Sequence, residues 1–211
     1  MTKWQVDVIT ISAGFEEASL SEREYSDLQQ AIYQANQSNV LVFAAASNYG
    51  NVDQITFPAS MHGNVICMFS STGLVKQSEG FNPAPSASSR LNFCMLGEQV
   101  QRVRFSPTET LSRTSGTSVA TSIAAGIAAL VIDFSRQVDC HQHIPNSKKL
   151  HSTRGMCAVF KEMAHAGKDN DYDCVAPWKL LECSAATMQT WDDMKKREYI
   201  CGRIHNALLH M

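Results

Sequence analysis

An α/β fold, with helices packed on a largely parallel sheet, is what this 211-residue sequence predicts. Three observations point to it. Continuous apolar runs such as "NVLVFAAAS" (39–47) and "NVICMFSS" (64–71) have the composition of parallel strands buried on both faces. A stretch with helical spacing separates the first two strand candidates. A long helix rich in small residues follows a hydroxyl-rich turn in "SRTSGTSVATSIAAGIAALVIDF" (112–134).

Taken in order, "VDVITIS" (6–12) alternates and is rich in β-branched residues, so it reads as a strand that "SAGF" ends. Ser21 and Glu24 have capping-box spacing, and Tyr25, Leu28, Ile32 and Ala35 continue a helix to about Gln37. With the strand at 39–47 and the turn "NYGN" (48–51), this makes a βαβ unit whose crossover is expected to be right-handed. A buried strand at 64–71 follows, then a polar stretch at 76–90 that reads as a surface loop. Shorter strands are predicted in "LNFCMLG" (91–97) and "QVQRVRF" (99–105), and the Ser118 helix runs to about Arg136. Residues 1–138 are read as one domain, 139–150 as a linker and 151–211 as a helical extension. That extension is expected to hold helices at Thr153–Ala166, closed by Gly167, and at about Met188–Leu209. Ala120, Ala124, Ala125, Gly126, Ala128 and Ala129 are expected to let the central helix approach the sheet closely.

Composition narrows the function. A formal charge of −2 with 18% charged residues offers no electrostatic footprint for nucleic acid, and no polybasic membrane segment is present. The apolar runs at 40–46 and 123–132 are too short to span a bilayer. Neither nucleic acid nor membrane is therefore an expected partner. The first residues lack the apolar core of a signal peptide, and the seven cysteines have no regular spacing. A reducing, intracellular and cytoplasmic location is expected. "CHQH" (140–143) has no second ligand pair and reads as a solvated loop, so neither metal nor cofactor is expected.

A serine in the first turn of a helix is often only a cap. At Ser118 the elbow of α/β-hydrolases is excluded, because that motif needs glycine where Ala120 stands. The ordered set "ITISAG", "VFAAASNYGN", "TFPAS" and "SGTSVAT" says more. Together these resemble the subtilisin-like serine peptidases, most closely intracellular fungal members, over about Val6–Arg136. The resemblance implies a three-layer subtilisin-like parallel sheet with flanking helices, its N-terminal part missing, plus a helical C-terminal tail. It implies Ser118 as nucleophile and Asn48 as side-chain donor to the oxyanion. Ser12, Ala13 and Gly14 match the segment that pairs with substrate backbone, and Ala45, Ala46 and Ser47 the opposite wall of the specificity pocket. Pro58 matches a proline that is usually cis in the family.

The helix start after Gly116 offers free N–H groups and a positive dipole end to a tetrahedral intermediate at Ser118. Ser47 replaces the family's glycine, where a side chain would narrow the pocket or strain the turn, and Ser122 replaces a proline. The family's aspartate and histidine precede the "ITISAG" strand, and none of the seven histidines here lies in the matching context. The expected function is serine endopeptidase action on a polypeptide substrate through an acyl-enzyme on Ser118. An upstream segment or a partner would supply the aspartate and histidine. The alternative is an inactive relic that binds peptides. Alone, the chain is expected to turn over poorly and to expose an unpaired sheet edge. Among its own histidines, His62 is the first candidate base, because it alone lies between the Asn48 and Ser118 motifs. Asn48 is expected to serve the oxyanion and not the fold.

Overall fold

The structure is a computed structural model that describes residues 4–50, 54–87, 89, 91–103, 106, 110, 112–166, 171–182 and 190–211. Strand β1 (Val8–Ile11) leads into helix α1 (Glu22–Gln37), whose Ser21–Glu24 capping box is formed from both sides. Strand β2 (Leu41–Ala45) is buried at all five residues and β3 (Ile66–Ser71) at all six. Strand β4 (Phe93–Leu96) follows, then the short antiparallel pair β5 (Val100–Gln101) and β6 (Arg113–Thr114). Helix α2 (Thr117–Arg136) and a helical turn α3 (Val138–His141) precede α4 (Thr153–Met163). The chain closes with β7 (Ala164–Ala166), β8 (Asp173–Val175) and helix α5 (Asp193–Leu209).

Six strands form one sheet in the order β1-β2-β3-β4-β8-β7, parallel except for β7. Val8 lies opposite Leu41, Phe43 opposite Ile66 and Met68 opposite Phe93. Successive side chains on a strand alternate between faces, so each strand feeds two cores. Leu41, Phe43, Ile66, Met68 and Phe93 pack against α2, α4 and α5. Val42, Ala44, Cys67 and Phe69 share the other core with Ile32 and Ala35 of α1. The result is three layers, with the sheet in the middle. The outer edge of β1 pairs with no strand among the described residues.

Several expectations need correction. Residues 139–150, expected as a linker, carry α3 and the start of a 3-10 turn (Ser147–His151), and Cys140, Ile144 and Leu150 are fully buried in the main core. The extension is likewise part of that core. Its predicted first helix stops at Met163, and β8 then joins the sheet beside β4. Phe160 stands 5.8 Å from the Phe43 ring and 5.7 Å from the Phe93 ring. Gly167 and Met188 lie outside the described residues, and α5 begins at Asp193.

The polar stretch after β3 is a loop, but not wholly a surface one. Asn82 is buried because its side chain both accepts from the Ser70 N–H and donates to the Ser70 carbonyl, while Ser78 donates to Ser70 Oγ. On α2, Ala120, Ala124, Ala125 and Ala128 do face the sheet, whereas Gly126 and Ala129 are exposed. A methyl group at Gly126 would touch nothing within 4 Å, so close packing does not require that glycine. The whole of α2 is long and apolar enough to cross a membrane, which the shorter run at 123–132 concealed, yet it is packed across β1 to β4.

Seven cysteines include a Cys94–Cys174 disulfide between directly opposed positions of β4 and β8. Cys67, Cys140, Cys157 and Cys201 are buried free thiols.

Candidate active site

Parallel strands direct all their C-terminal ends to one edge of the sheet, and that is where open α/β sheets gather a site. Here β2 ends at Ala45 and runs on through Ala46, Ser47 and Asn48, while α2 starts from the same edge. Gly116 is its N-cap, tied through its N–H to the Gly97 carbonyl just past β4. The φ of Gly116 is 142°, in the region only glycine adopts freely. A Cβ there would stand 3.1 Å from both polar atoms of the Asn48 amide, so glycine also admits Asn48 against the helix start.

Asn48 is exposed at this edge, and its Oδ1 accepts from the Thr117 N–H at 2.7 Å and from Thr117 Oγ1 at 3.1 Å. Thr117 is fully buried, and its hydroxyl also reaches the Ser47 carbonyl at 3.1 Å. The oxygen end of the Asn48 amide is thus anchored as a helix cap. Its Nδ2 donates to nothing among the described residues. Ser118, half-buried, is the second residue of α2 and adjoins Thr117. The structure therefore brings the Ser118 and Asn48 motifs together on one edge, and it corrects the expectation that Asn48 has no part in the fold.

Ser12, Ala13 and Gly14 continue β1 at the same edge and are exposed. Ser12 Oγ donates to the Ser118 carbonyl at 3.0 Å and lies 3.2 Å from Ser122 Oγ, which reaches the same carbonyl at 3.0 Å. Ser122, standing where the resemblance expects proline, thus joins the β1 extension to the first turn of α2. Gly14 has a packing reason to be glycine, since a Cβ there would lie 2.0 Å from Thr56 Oγ1. Thr56 in turn binds the Ala46 carbonyl through both its N–H and its hydroxyl. Phe15 and Phe57 exchange two backbone hydrogen bonds, and the Phe57–Pro58 peptide is cis. Ala45, Ala46 and Ser47 are buried, and Ser47 has no positive φ, so its side chain does not strain the turn.

No hydrogen bond reaches Ser118 Oγ from a histidine among the described residues. His62 lies before β3, at the opposite ends of the strands, and its Nε2 contacts Ser86 Oγ at 2.9 Å. Burial pushes its pKa down. The six residues of β3 separate that end from the site by about 20 Å. His62 is therefore not the base for Ser118.

His151 pairs with Asp7 at 3.5 Å and has the look of a catalytic dyad, but Asp7 also binds Arg136 at the far end of α2. That end is eighteen residues beyond Ser118, or about 27 Å along the helix. No group of three or more metal-binding side chains occurs among the described residues.

What the edge offers is a serine hydroxyl, the Ser118 N–H in the first turn of α2 and an anchored amide whose N–H₂ end is unspent. Such donors suit a negative oxygen forming on a carbon bound to Ser118.

The subtilase family model matches residues 2–152. The subtilisin-like protease het-Q2 of Podospora anserina is 30% identical over 137 residues, covering 64% of this chain and 37% of that protein. Among solved structures, a mutant of the protease domain of PatA superposes with TM-score 0.64 at 21% identity, covering 84% of this chain and 59% of that one. The prenylagaramide maturation protease PagA gives 0.62 at 20% identity, covering 98% and 64%. The PatG macrocyclase domain gives 0.61 at 14% identity, covering 100% and 54%. At these identities the structural likeness speaks for the fold alone. The chain spans little more than a third of its curated relative and under two thirds of each of these solved chains. With most of its sequence matched by the family model, the chain belongs to the subtilase family.

Proposed function

We propose that this chain carries the nucleophile and oxyanion half of a serine endopeptidase site. Ser118 Oγ attacks the peptide carbonyl, and the Ser118 N–H and Asn48 Nδ2 receive the oxyanion of the tetrahedral intermediate. Collapse of that intermediate expels the amine and leaves an acyl-enzyme on Ser118, which water then hydrolyses. The exposed Ser12–Gly14 segment pairs with substrate backbone, and Ala45–Ser47 form the facing wall of the pocket. The observation that carries this reading is the Asn48 amide, held through Oδ1 on Thr117, the residue before Ser118, with its donor end unspent.

The histidine base and its orienting carboxylate come, in this proposal, from an upstream segment or a partner docked on the free edge of β1. An apolar groove of about 210 Å³ lies next to that edge, lined by Ile9, Ile11, Phe15, Leu28 and Phe57. A fluorophosphonate probe tests the reading. Alone, the 211-residue chain should label slowly and only at Ser118. Once the base-bearing polypeptide is present, labelling should be fast, and Ser118→Ala should abolish it. Fast labelling at another residue would refute the assignment. Peptide binding with no labelling under either condition would favour the non-catalytic alternative.

A further inference from the structure

At the opposite end of the sheet from Ser118, where β3, β4 and α4 begin, lies a cleft of about 550 Å³. That volume is ordinary for a small organic ligand. Its deep wall is made by Val65, Cys67, Phe93 and Cys157, all buried. Both thiols are held protonated by burial, with Cys157 raised to about 12, so they serve as apolar wall and not as nucleophiles.

Most polar side chains on the wall are already engaged, the exposed His210 at the rim being an exception. Ser89 Oγ donates to the Leu91 carbonyl at 3.0 Å, and Thr153 Oγ1 to the Asn64 carbonyl at 3.3 Å. At the rim, Lys161 is paired with Asp173 at 2.5 Å and His62 with Ser86. Arg154 also lines the cleft, is exposed, and has no partner among the described residues. Among the described residues no acidic side chain lines the cleft.

The geometry points to a binding site for an aliphatic monocarboxylate, its hydrocarbon chain against Val65, Cys67, Phe93 and Cys157 and its carboxylate on the Arg154 guanidinium. A neutral ligand would leave Arg154 unused. A second polar group deep in the chain would meet only the apolar wall of Val65, Cys67, Phe93 and Cys157. An arginine–carboxylate pair is the strong, planar contact that such an opening can provide.

Calorimetric titration of the 211-residue chain with decanoate tests this, with decanol and decyl phosphate as comparison ligands. Decanoate should bind at one site, more tightly than the other two. Arg154→Ala should weaken decanoate about tenfold and leave decanol unchanged. Arg154→Gln, which keeps much of the stem, should behave the same way. Ala158→Phe, which fills the cleft from α4, should abolish binding, with circular dichroism confirming that each variant is folded. The proposal is overturned if decanoate does not bind, or if decanol or decyl phosphate binds as tightly. It is equally overturned if the Arg154 variants bind decanoate normally or folded Ala158→Phe still binds it. Ser118 takes no part in these readings, so they stand apart from the peptidase test.

Discussion

Replacing Asn48 by aspartate separates two tasks that one amide performs. Its Oδ1 caps α2 by accepting from the Thr117 N–H and hydroxyl, and its Nδ2 is the donor assigned to the oxyanion. Asn48→Ala removes both. Because Thr117 is fully buried, its N–H would lose its partner away from solvent, at a cost of about 1–2 kcal/mol. Asn48→Asp keeps an acceptor at the helix start, where a negative charge adds roughly a few tenths of a kcal/mol. It should therefore match the parent in urea midpoint, while Asn48→Ala falls. Catalysis should rank differently. Aspartate offers no donor and brings negative charge to the place where the oxyanion develops.

In an assembly that includes the base, Asn48→Asp should lower kcat by about 10²–10³ or more, with KM nearly unchanged. That magnitude comes from a subtilisin's own oxyanion asparagine, and so from this family. The paired assays are urea unfolding of the 211-residue chain and peptide hydrolysis by the assembly. If Asn48→Asp keeps kcat within tenfold of the parent, the Asn48 amide is not the oxyanion donor. If Asn48→Ala loses activity only in proportion to its unfolded fraction, Asn48 is a cap and nothing more.

Other consequences are open to direct measurement. Phe160→Ala should destabilise the chain by about 3–5 kcal/mol in urea unfolding, because the ring is fully buried between Phe43 and Phe93; a cost below about 1 kcal/mol would return the extension to the periphery. Gly116→Ala should slow fluorophosphonate labelling of Ser118 and cost about 1–3 kcal/mol, since it forces a side chain to φ 142° and crowds the Asn48 amide. A thiol count in denaturant without reductant should find Cys67, Cys140, Cys157 and Cys201 reactive and Cys94 and Cys174 unreactive, held in their bond. Seven free thiols would instead fit the reducing compartment expected from the sequence. The Arg136 hydrogen bond holds Asp7 below its ordinary 3.8, so this contribution is present above that pH and lost as pH falls through the lower folded value. Asp7→Asn should cost under about 1 kcal/mol at pH 7, because the pair is partly exposed, and the difference should shrink on acidification.

Elements with long, uninterrupted patterns were legible before any coordinates. The capping box of α1, the doubly buried strands β2 and β3, and the turn-to-helix change before α2 each repeat one local signal over many residues. Strands β7 and β8 have three residues each, too few for a period, and the second is a strand because β4 and β7 lie on either side of it. Burial of Asn82 was hidden for a related reason. Its composition says loop, and only the distant Ser70 backbone makes the buried position affordable. At the site, the sequence revealed which residues belong together but not how they are held. The Thr117 anchor on Asn48 and the Ser12–Ser122 contact join residues 69 and 110 positions apart, a link that no local pattern carries.

That long-range bracing bears on how a serine can be positioned without a base beside it. Asn48, Thr117 and Gly116 hold the start of α2 from the β2 side, and Ser12 with Ser122 holds it from the β1 side. Both braces are satisfied within the chain and neither uses a histidine. The far end of α2 is tied separately, through Arg136, Asp7 and His151. Geometry at Ser118 therefore depends on contacts the chain itself makes, whereas the reactivity of its hydroxyl depends on a proton acceptor that no described histidine provides. A base arriving against the β1 edge would meet oxyanion donors already in place. Its effect should then appear in the rate of acylation far more than in the affinity for a peptide laid along Ser12–Gly14.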